Sequence, residues 1–395
     1  MSHLSSVQFD RLIQHRQQFP ALAHKAYFNY GGQGTLPQGA IAAIHQAHEQ
    51  IQTTGPFSGA SNGWISEQAH QMKGAIATEL GVSPETLTLT EDVSVGCNIP
   101  LWGIDWQAGD HLLLTDCEHP GIIAAAREIQ RRFGIEITTC PLMATLNQGN
   151  PTDLIAQCLQ PTTRLVVLSH ILWNTGQVLP LAEIVQLCHA QPKIVRILVD
   201  AAQSVGMLPL NLTEIGADFY AFTGHKWWCG PAGLGGLYVS PEAFSSLSPT
   251  FIGWRGIAVN LAGQPTGWME DGRKFEIATS DYTLYAGLQA AIACHQQWGT
   301  AADRYHRILE LSHCLWQQLS ELPQVTCLRH APPESGLISF TVEGQSHPAI
   351  VKALEHQGFL VRTILDPDCI RACVHYFTLE TEIEQLGVAI EKLSR

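Results

Sequence analysis

The sequence predicts an α/β fold: a large domain on a mainly parallel seven-stranded sheet, then a smaller α+β C-terminal domain. Three observations predict it. Short apolar, β-branched runs recur at 86–90, 111–116, 135–140, 164–170, 196–200, 219–222 and 233–240. Helix-length stretches such as 121–133 and 181–191 lie between them. The runs are apolar throughout rather than alternating, so both faces of the sheet must be covered.

The remaining elements follow in order. Residues 1–20 read as an amphipathic arm that packs on the small domain, and 21–265 as the large domain. Across its end, 245–275 is rich in Gly, Pro and Trp and reads as loops. Residues 266–395 read as the small domain, with helices at 282–298, 302–322 and 381–394 and strands at 336–342 and 360–363. No internal repeat or low-complexity tract interrupts the chain.

Composition narrows the function classes. With 395 residues, 45% apolar and 14% charged, the chain can bury a large core. A net charge of −13 without a Lys/Arg cluster argues against a nucleic-acid binder. No run of about 18 apolar residues suggests a membrane span. The start, MSHLSSVQFDRLIQHRQQF, lacks an apolar leader. Eleven scattered cysteines, without paired CxxC or HxxxH spacing, read as free thiols in a reducing cytoplasm and not as a metal site.

In an open α/β sheet, ligands bind at the carboxyl ends of the strands. That rule gathers His119, Trp173, Asn174, Asp200, Gln203, Thr223, His225 and Lys226 at one edge. Asp200 follows an apolar run, where a carboxylate needs a partner. A pyridinium nitrogen is one such partner, and a helix N-terminus capped by Asp200 is another. Lys226 lies in Thr223-Gly-His-Lys226-Trp-Trp. A desolvated lysine there can form an imine, although an ordinary loop lysine fits the same residue. Residues 88–96 lead from a strand into a helix. Its N-terminus, with the Ser94 hydroxyl, could hold a phosphate or simply be capped by Asp92 or Ser94.

Asp200-Ala-Ala-Gln203 followed by Thr223-Gly-His-Lys226 resembles the signature of the class V (NifS-like) aminotransferase superfamily of fold-type I, which uses pyridoxal 5′-phosphate (PLP). The resemblance runs from about residue 27 to the C-terminus and implies a role for each matching residue. Lys226 would carry PLP as an imine and move the Cα proton. Asp200 would pair with the pyridine nitrogen, Gln203 would donate to the ring hydroxyl, and His119 would stack on the ring. Val93, Ser94, Thr223 and His225 would bind the phosphate. Thr279 would reach the phosphate of a neighbouring subunit, implying a homodimer. Arg371 would clamp the substrate carboxylate, which suits a bidentate guanidinium. Arg362 and Gly32 would assist. Loops at 30–35, 57–64 and 251–255 would set specificity.

Two departures refine the resemblance. Trp173 stands where the family usually offers an Asn, which leaves either Trp173 or Asn174 for that place at the cofactor. Cysteine desulfurases carry a nucleophilic Cys on a loop between the equivalents of Arg362 and Arg371. Here Thr363-Ile-Leu-Asp-Pro-Asp-Cys369 is compact, and Cys369 reads as a small buried thiol at a strand start. The resemblance therefore implies a C–S lyase acting on cystine or cysteine, giving pyruvate, ammonia and a persulfide or sulfide. Its sulfur would pass to an acceptor or an iron–sulfur apoprotein. A desulfurase giving alanine, an epimerase or aminotransferase, and a binding protein without chemistry are the alternatives.

Overall fold

The computed structural model describes residues 6–394. Seven strands form one sheet in the order Leu87–Thr90, Gly235–Val239, Phe219–Thr223, Arg196–Asp200, Thr163–Ser169, His111–Thr115, Glu136–Cys140. Gly235–Val239 runs against both neighbours, and the other six strands share one direction. The mainly parallel sheet is therefore the one expected. Its side chains divide by the two-residue period of a strand. Val166, Leu168, Ile197, Val199, Tyr220 and Phe222 enter one core. Leu165, Val167, Leu198, Phe219 and Ala221 enter the core on the opposite face.

Helices cover both faces. In Pro120–Phe133, Ile122, Ala126 and Ile129 fall on one buried stripe. Proline opens that helix and Gly134 ends it in the left-handed region, at φ 68°. Helix Val93–Gly103 lies close to the sheet because Gly96 has no side chain. A Cβ there would stand 3.0 Å from the Ala221 Cβ and 3.1 Å from the Gly236 carbonyl. That closeness sets the helix N-terminus beside the end of Leu87–Thr90.

The first half holds more helix than expected. Gln38–Thr54 and Gly59–Leu80 are both helices, so the expected loop at 57–64 is mostly a first helical turn, capped by Ser58. Thr283–Trp298 packs on these two helices and sends Leu288 and Ile292 into the core beneath the sheet. Residues 245–275 contain a hairpin, Ile257–Val259 with Pro265–Trp268, within the expected loops.

The C-terminal unit has a four-stranded antiparallel sheet in the order Val325–Cys327, Leu337–Val342, Asp368–Cys373, Arg362–Leu365. Helices Ala301–Ser320, His347–His356 and Glu380–Ser394 pack on it through Leu315, Leu354 and Leu386. Residues 1–5 of the expected arm lie outside the described residues, and the described part starts with helix Ser6–Arg16. Arg16 meets Glu382 at 2.6 Å and donates to the Phe377 carbonyl at 2.6 Å. Ala26–Tyr27 pairs with Phe359–Leu360, and the chain then runs into the edge where the parallel strands end.

Candidate active site

Lys226 sits just past strand Phe219–Thr223, in a turn held from several sides. The His225 carbonyl accepts from Gly34 N at 2.7 Å, and the Lys226 carbonyl accepts from Cys229 N at 3.0 Å. Gly34 permits this approach, since a Cβ there would overlap the Lys226 carbonyl. Burial lowers the Lys226 ammonium to about 8; Asp200 opposes the shift, and Arg371 and Arg362 add to it. An amine so depressed is partly neutral near pH 7 and can act as nucleophile or base.

Asp200 ends strand Arg196–Asp200, buried, with Oδ1 accepting from Ala202 N at 2.9 Å. No helix begins there, because the chain continues as turns. The capping alternative therefore falls away. Burial pushes this carboxyl up, while the Ala202 bond, Lys226 and His119 pull it down. A cation placed against Asp200 would complete it.

Gln203 is oriented without ambiguity. Trp227 Nε1 can only donate, and it reaches Gln203 Oε1 at 2.9 Å. The Gln203 amide nitrogen must then be the atom 2.9 Å from the Gly31 carbonyl, with a second hydrogen remaining to donate. His119 caps helix Pro120–Phe133, its Nδ1 accepting from Gly121 N at 3.2 Å. Its ring centroid lies 5.7 Å from that of Trp173, edge to face. Burial lowers its pKa, so the ring is neutral and suited to stacking.

At the helix that begins with Val93, Asp92 Oδ1 accepts from Val95 N at 3.0 Å. Val93 is buried and Ser94 is exposed. Thr223 Oγ1 and His225 Nδ1 form a hydrogen bond at 2.6 Å. Ser94 and Thr279 both line a cavity of about 980 Å³, together with Glu91 and Phe251. Thr279 is exposed on its wall.

Arg371 is 1% exposed on strand Asp368–Cys373. Its Nη1 donates to the Trp173 carbonyl at 2.6 Å, while Nε and Nη2 have no partner. A buried guanidinium with two open donors is costly unless an anion arrives. Gly31 lies against it, since a Cβ there would stand 2.9 Å from Nη2. Gly32 abuts the Asn29 side chain instead. Arg362 faces Arg371 across the strand pair and is exposed. Asn174 is buried and bonds the 362–369 hairpin: Nδ2 donates to the Asp366 carbonyl at 3.2 Å, and Oδ1 is buried without a partner. Cys369 is fully buried in the strand, and burial pushes its thiol up to about 12. The segment before it is a tight hairpin, with Leu365 opposite Asp368.

Some contributors carried no sequence signal. Gly31 matters through its long-range approach to Arg371, and the orphaned Asn29 Oδ1 shows only once the chain is folded. Glu118, next to His119, is buried beneath the site. It accepts from Thr115 Oγ1 at 2.6 Å and Ser169 Oγ at 2.9 Å, and burial raises it to about 8. The motif Asp116-Cys-Glu-His119 displayed it, but nothing local marks its burial.

Residues 26–384 match the aminotransferase class-V family. The chain belongs to that family. Within it, similar solved structures include the cystine C–S lyase C-DES in complex with its reaction product, cysteine persulfide. That chain is 52% identical, with a TM-score of 0.93, over 95% of this chain and 99% of that one. A lysine-to-alanine variant of C-DES, with glycine covalently linked to the PLP cofactor, is also 52% identical. Its TM-score is 0.94, covering 95% of this chain and 98% of that one. The isopenicillin N epimerase of Streptomyces clavuligerus is 26% identical over 82% of this chain and 84% of its own. These class-V relatives place the resemblance read from residues 200–226 on the whole chain.

Proposed function

We propose that this class-V chain is a PLP-dependent C–S lyase that cleaves cystine to pyruvate, ammonia and cysteine persulfide. The observation that carries the reading is Arg371: a buried guanidinium with two open donors, electrostatically coupled to the Lys226 amine. That pair fits an amino acid held by its carboxylate with its Cα near a base. The resemblance to C-DES supports sulfur amino acids as the substrate class.

Lys226 would hold PLP covalently, Asp200 would face its ring nitrogen, and Gln203 would donate to its hydroxyl. Ser94, Thr223, His225 and the first amides of helix Val93–Gly103 would take its phosphate. When bound, the cofactor supplies an electron sink for the pair released at Cα. The chain's residues do the rest. Arg371 would fix the carboxylate and His119 would cover the ring, and the Lys226 amine, set free when the substrate amine takes its place on the cofactor, would remove the Cα proton. The Cβ–S bond then breaks, sulfur leaving with its electron pair. Hydrolysis of the released enamine gives pyruvate and ammonia.

A desulfurase would need a thiol that can reach the substrate sulfur. Cys369 is held in a strand, so Cys369→Ala is expected to keep at least half the pyruvate formation from cystine, measured with a coupled dehydrogenase. Alanine as the product, lost in Cys369→Ala, would overturn the lyase reading.

A homodimer belongs to the same proposal. Phe251, Ile252 and Trp254 are each at least 60% exposed, beside the cavity that Ser94 and Thr279 share. A second copy covering them would remove an apolar patch from water. Sedimentation equilibrium is expected to give a two-chain particle; a single-chain mass at micromolar concentration contradicts it. Eleven unpaired cysteines fit a reducing cytoplasm. The persulfide product suits a sulfur acceptor such as an iron–sulfur apoprotein.

A further inference from the structure

We infer that His375 and His295 are positioning residues that hold the two backbone carbonyls following Lys226, and so fix where its amine can reach. The inference rests on Lys226 being the cofactor lysine. His375 Nε2 lies 3.0 Å from the Trp227 carbonyl, and His295 Nε2 lies 2.8 Å from the Trp228 carbonyl. With the two bonds from Gly34 and Cys229, every carbonyl from residue 225 to 228 is held. Cys229 closes the turn at φ 49°, in the left-handed region.

The hydrogen bonds assign the tautomers. A carbonyl only accepts, so each Nε2 carries a hydrogen. His375 Nδ1 accepts from Tyr376 N at 3.0 Å. His295 Nδ1 lies 2.8 Å from the Tyr376 hydroxyl, which also lies 2.8 Å from His15 Nε2. The hydroxyl donates to His295 and accepts from His15. A fixed line of donors thus runs from the arm helix to the turn. Burial lowers all three histidines, His15 to about 4 and His375 to about 3, which keeps them neutral donors across the working range.

Cys229, His295 and His375 also offer atoms within 4.8 Å of one another, as a metal site would. Every nitrogen of the two rings already has a partner, however. The cluster is therefore arranged to donate hydrogen bonds rather than to bind an ion.

The arrangement links three site elements. The His375 ring stacks on Trp227, with centroids 5.6 Å apart. Trp227 in turn orients Gln203. His375 also lies four residues after Arg371, so one segment carries both the carboxylate clamp and the support of the lysine turn. A shift of about 1 Å between base and substrate can lower a rate by roughly a hundredfold.

The test compares two variants of the full chain. His375→Gln keeps a donor near the Nε2 position, and His375→Leu fills the volume without one. Each is incubated with PLP, then reduced with borohydride, and label at Lys226 is counted by mass spectrometry over time. The pH midpoint of the bound cofactor's absorbance is measured in parallel. The Leu variant is expected to capture PLP at least about tenfold more slowly, with a displaced midpoint. The Gln variant should stay within about threefold of wild type. If the Leu variant does not fold, His295→Gln and His295→Met make the same comparison at Trp228.

Equal capture and equal midpoints in both variants would overturn the positioning role alone. So would stoichiometric zinc in the wild type that both variants lose. A wild-type chain that leaves Lys226 unlabelled would overturn the cofactor reading and the positioning role together.

Discussion

Lys226→Ala is expected to abolish imine formation with PLP and to lower pyruvate formation from cystine by at least about a thousandfold. The variant removes both the covalent anchor and the base. Its partners stay in place, because Asp200 and His119 are held at other strand ends and Gln203 by Gly31 and Trp227, which the substitution leaves intact. The folded variant should therefore still bind PLP noncovalently through the phosphate cradle, shown by a free-aldehyde absorbance that borohydride does not fix to the chain. The pH behaviour follows from burial. Lys226 has its pKa lowered to about 8, so its neutral fraction grows as pH rises through 8. Capture of PLP by the wild type should rise over that range and then level. A lysine depressed in the folded state also makes the apo protein gain stability as pH rises from about 8 toward 10.5. Denaturant midpoints of Lys226→Ala should lack that gain. Retained turnover in the alanine variant, or capture independent of pH between 6 and 9, contradicts the assignment.

Much of this arrangement was legible in the sequence because the sheet is buried on both faces. Runs such as Ile197–Val199 are then apolar throughout, and the polar residues at or just past the strand ends, Asp200, Thr223, His225 and Lys226, stand out. The helices Gln38–Thr54 and Gly59–Leu80 were not legible in the same way. Gln38–Thr54 buries the small Ala40 and Ala47 with Ile51, so its stripe is faint, while Gly59–Leu80 buries Ile65, Met72, Ile76 and Leu80 but carries Gly59, Gly63 and Gly74, which weaken a helical reading. The long helix Thr283–Trp298 was visible, but its packing against these two helices was not, because it depends on contacts with residues more than two hundred positions earlier. The same limit applies within the site. Arg371 could be named from its neighbours, yet its two open donors, its contact with Gly31 and its bond to Trp173 arise only when three distant segments meet. His375 looked like any histidine after a strand until the carbonyl it holds was known.

Arg371→Met is expected to weaken cystine use while leaving the ligand-free protein as stable as wild type or more so. A side chain 1% exposed, with Nε and Nη2 unpartnered, loses hydration that the fold does not replace. Burial accordingly lowers the Arg371 pKa, against the pull of Cys373 beside it. Methionine fills much the same space without charge, and exchanging buried charge for apolar packing is often neutral or stabilising by about 1–4 kcal/mol. For the substrate the sign reverses. Two charge-assisted bonds to a carboxylate, at about 1.5–3 kcal/mol each, correspond to a rise in KM of roughly a hundredfold or more. kcat should fall less, because the carboxylate is held in the bound substrate and the transition state alike. Arg362→Met provides the contrast: exposed, it should shift stability by no more than about 0.5 kcal/mol. The measurements are urea midpoints of the apo proteins and initial rates against cystine concentration. An Arg371→Met protein that loses several kcal/mol of stability and keeps its KM would make Arg371 a structural strut rather than the substrate clamp.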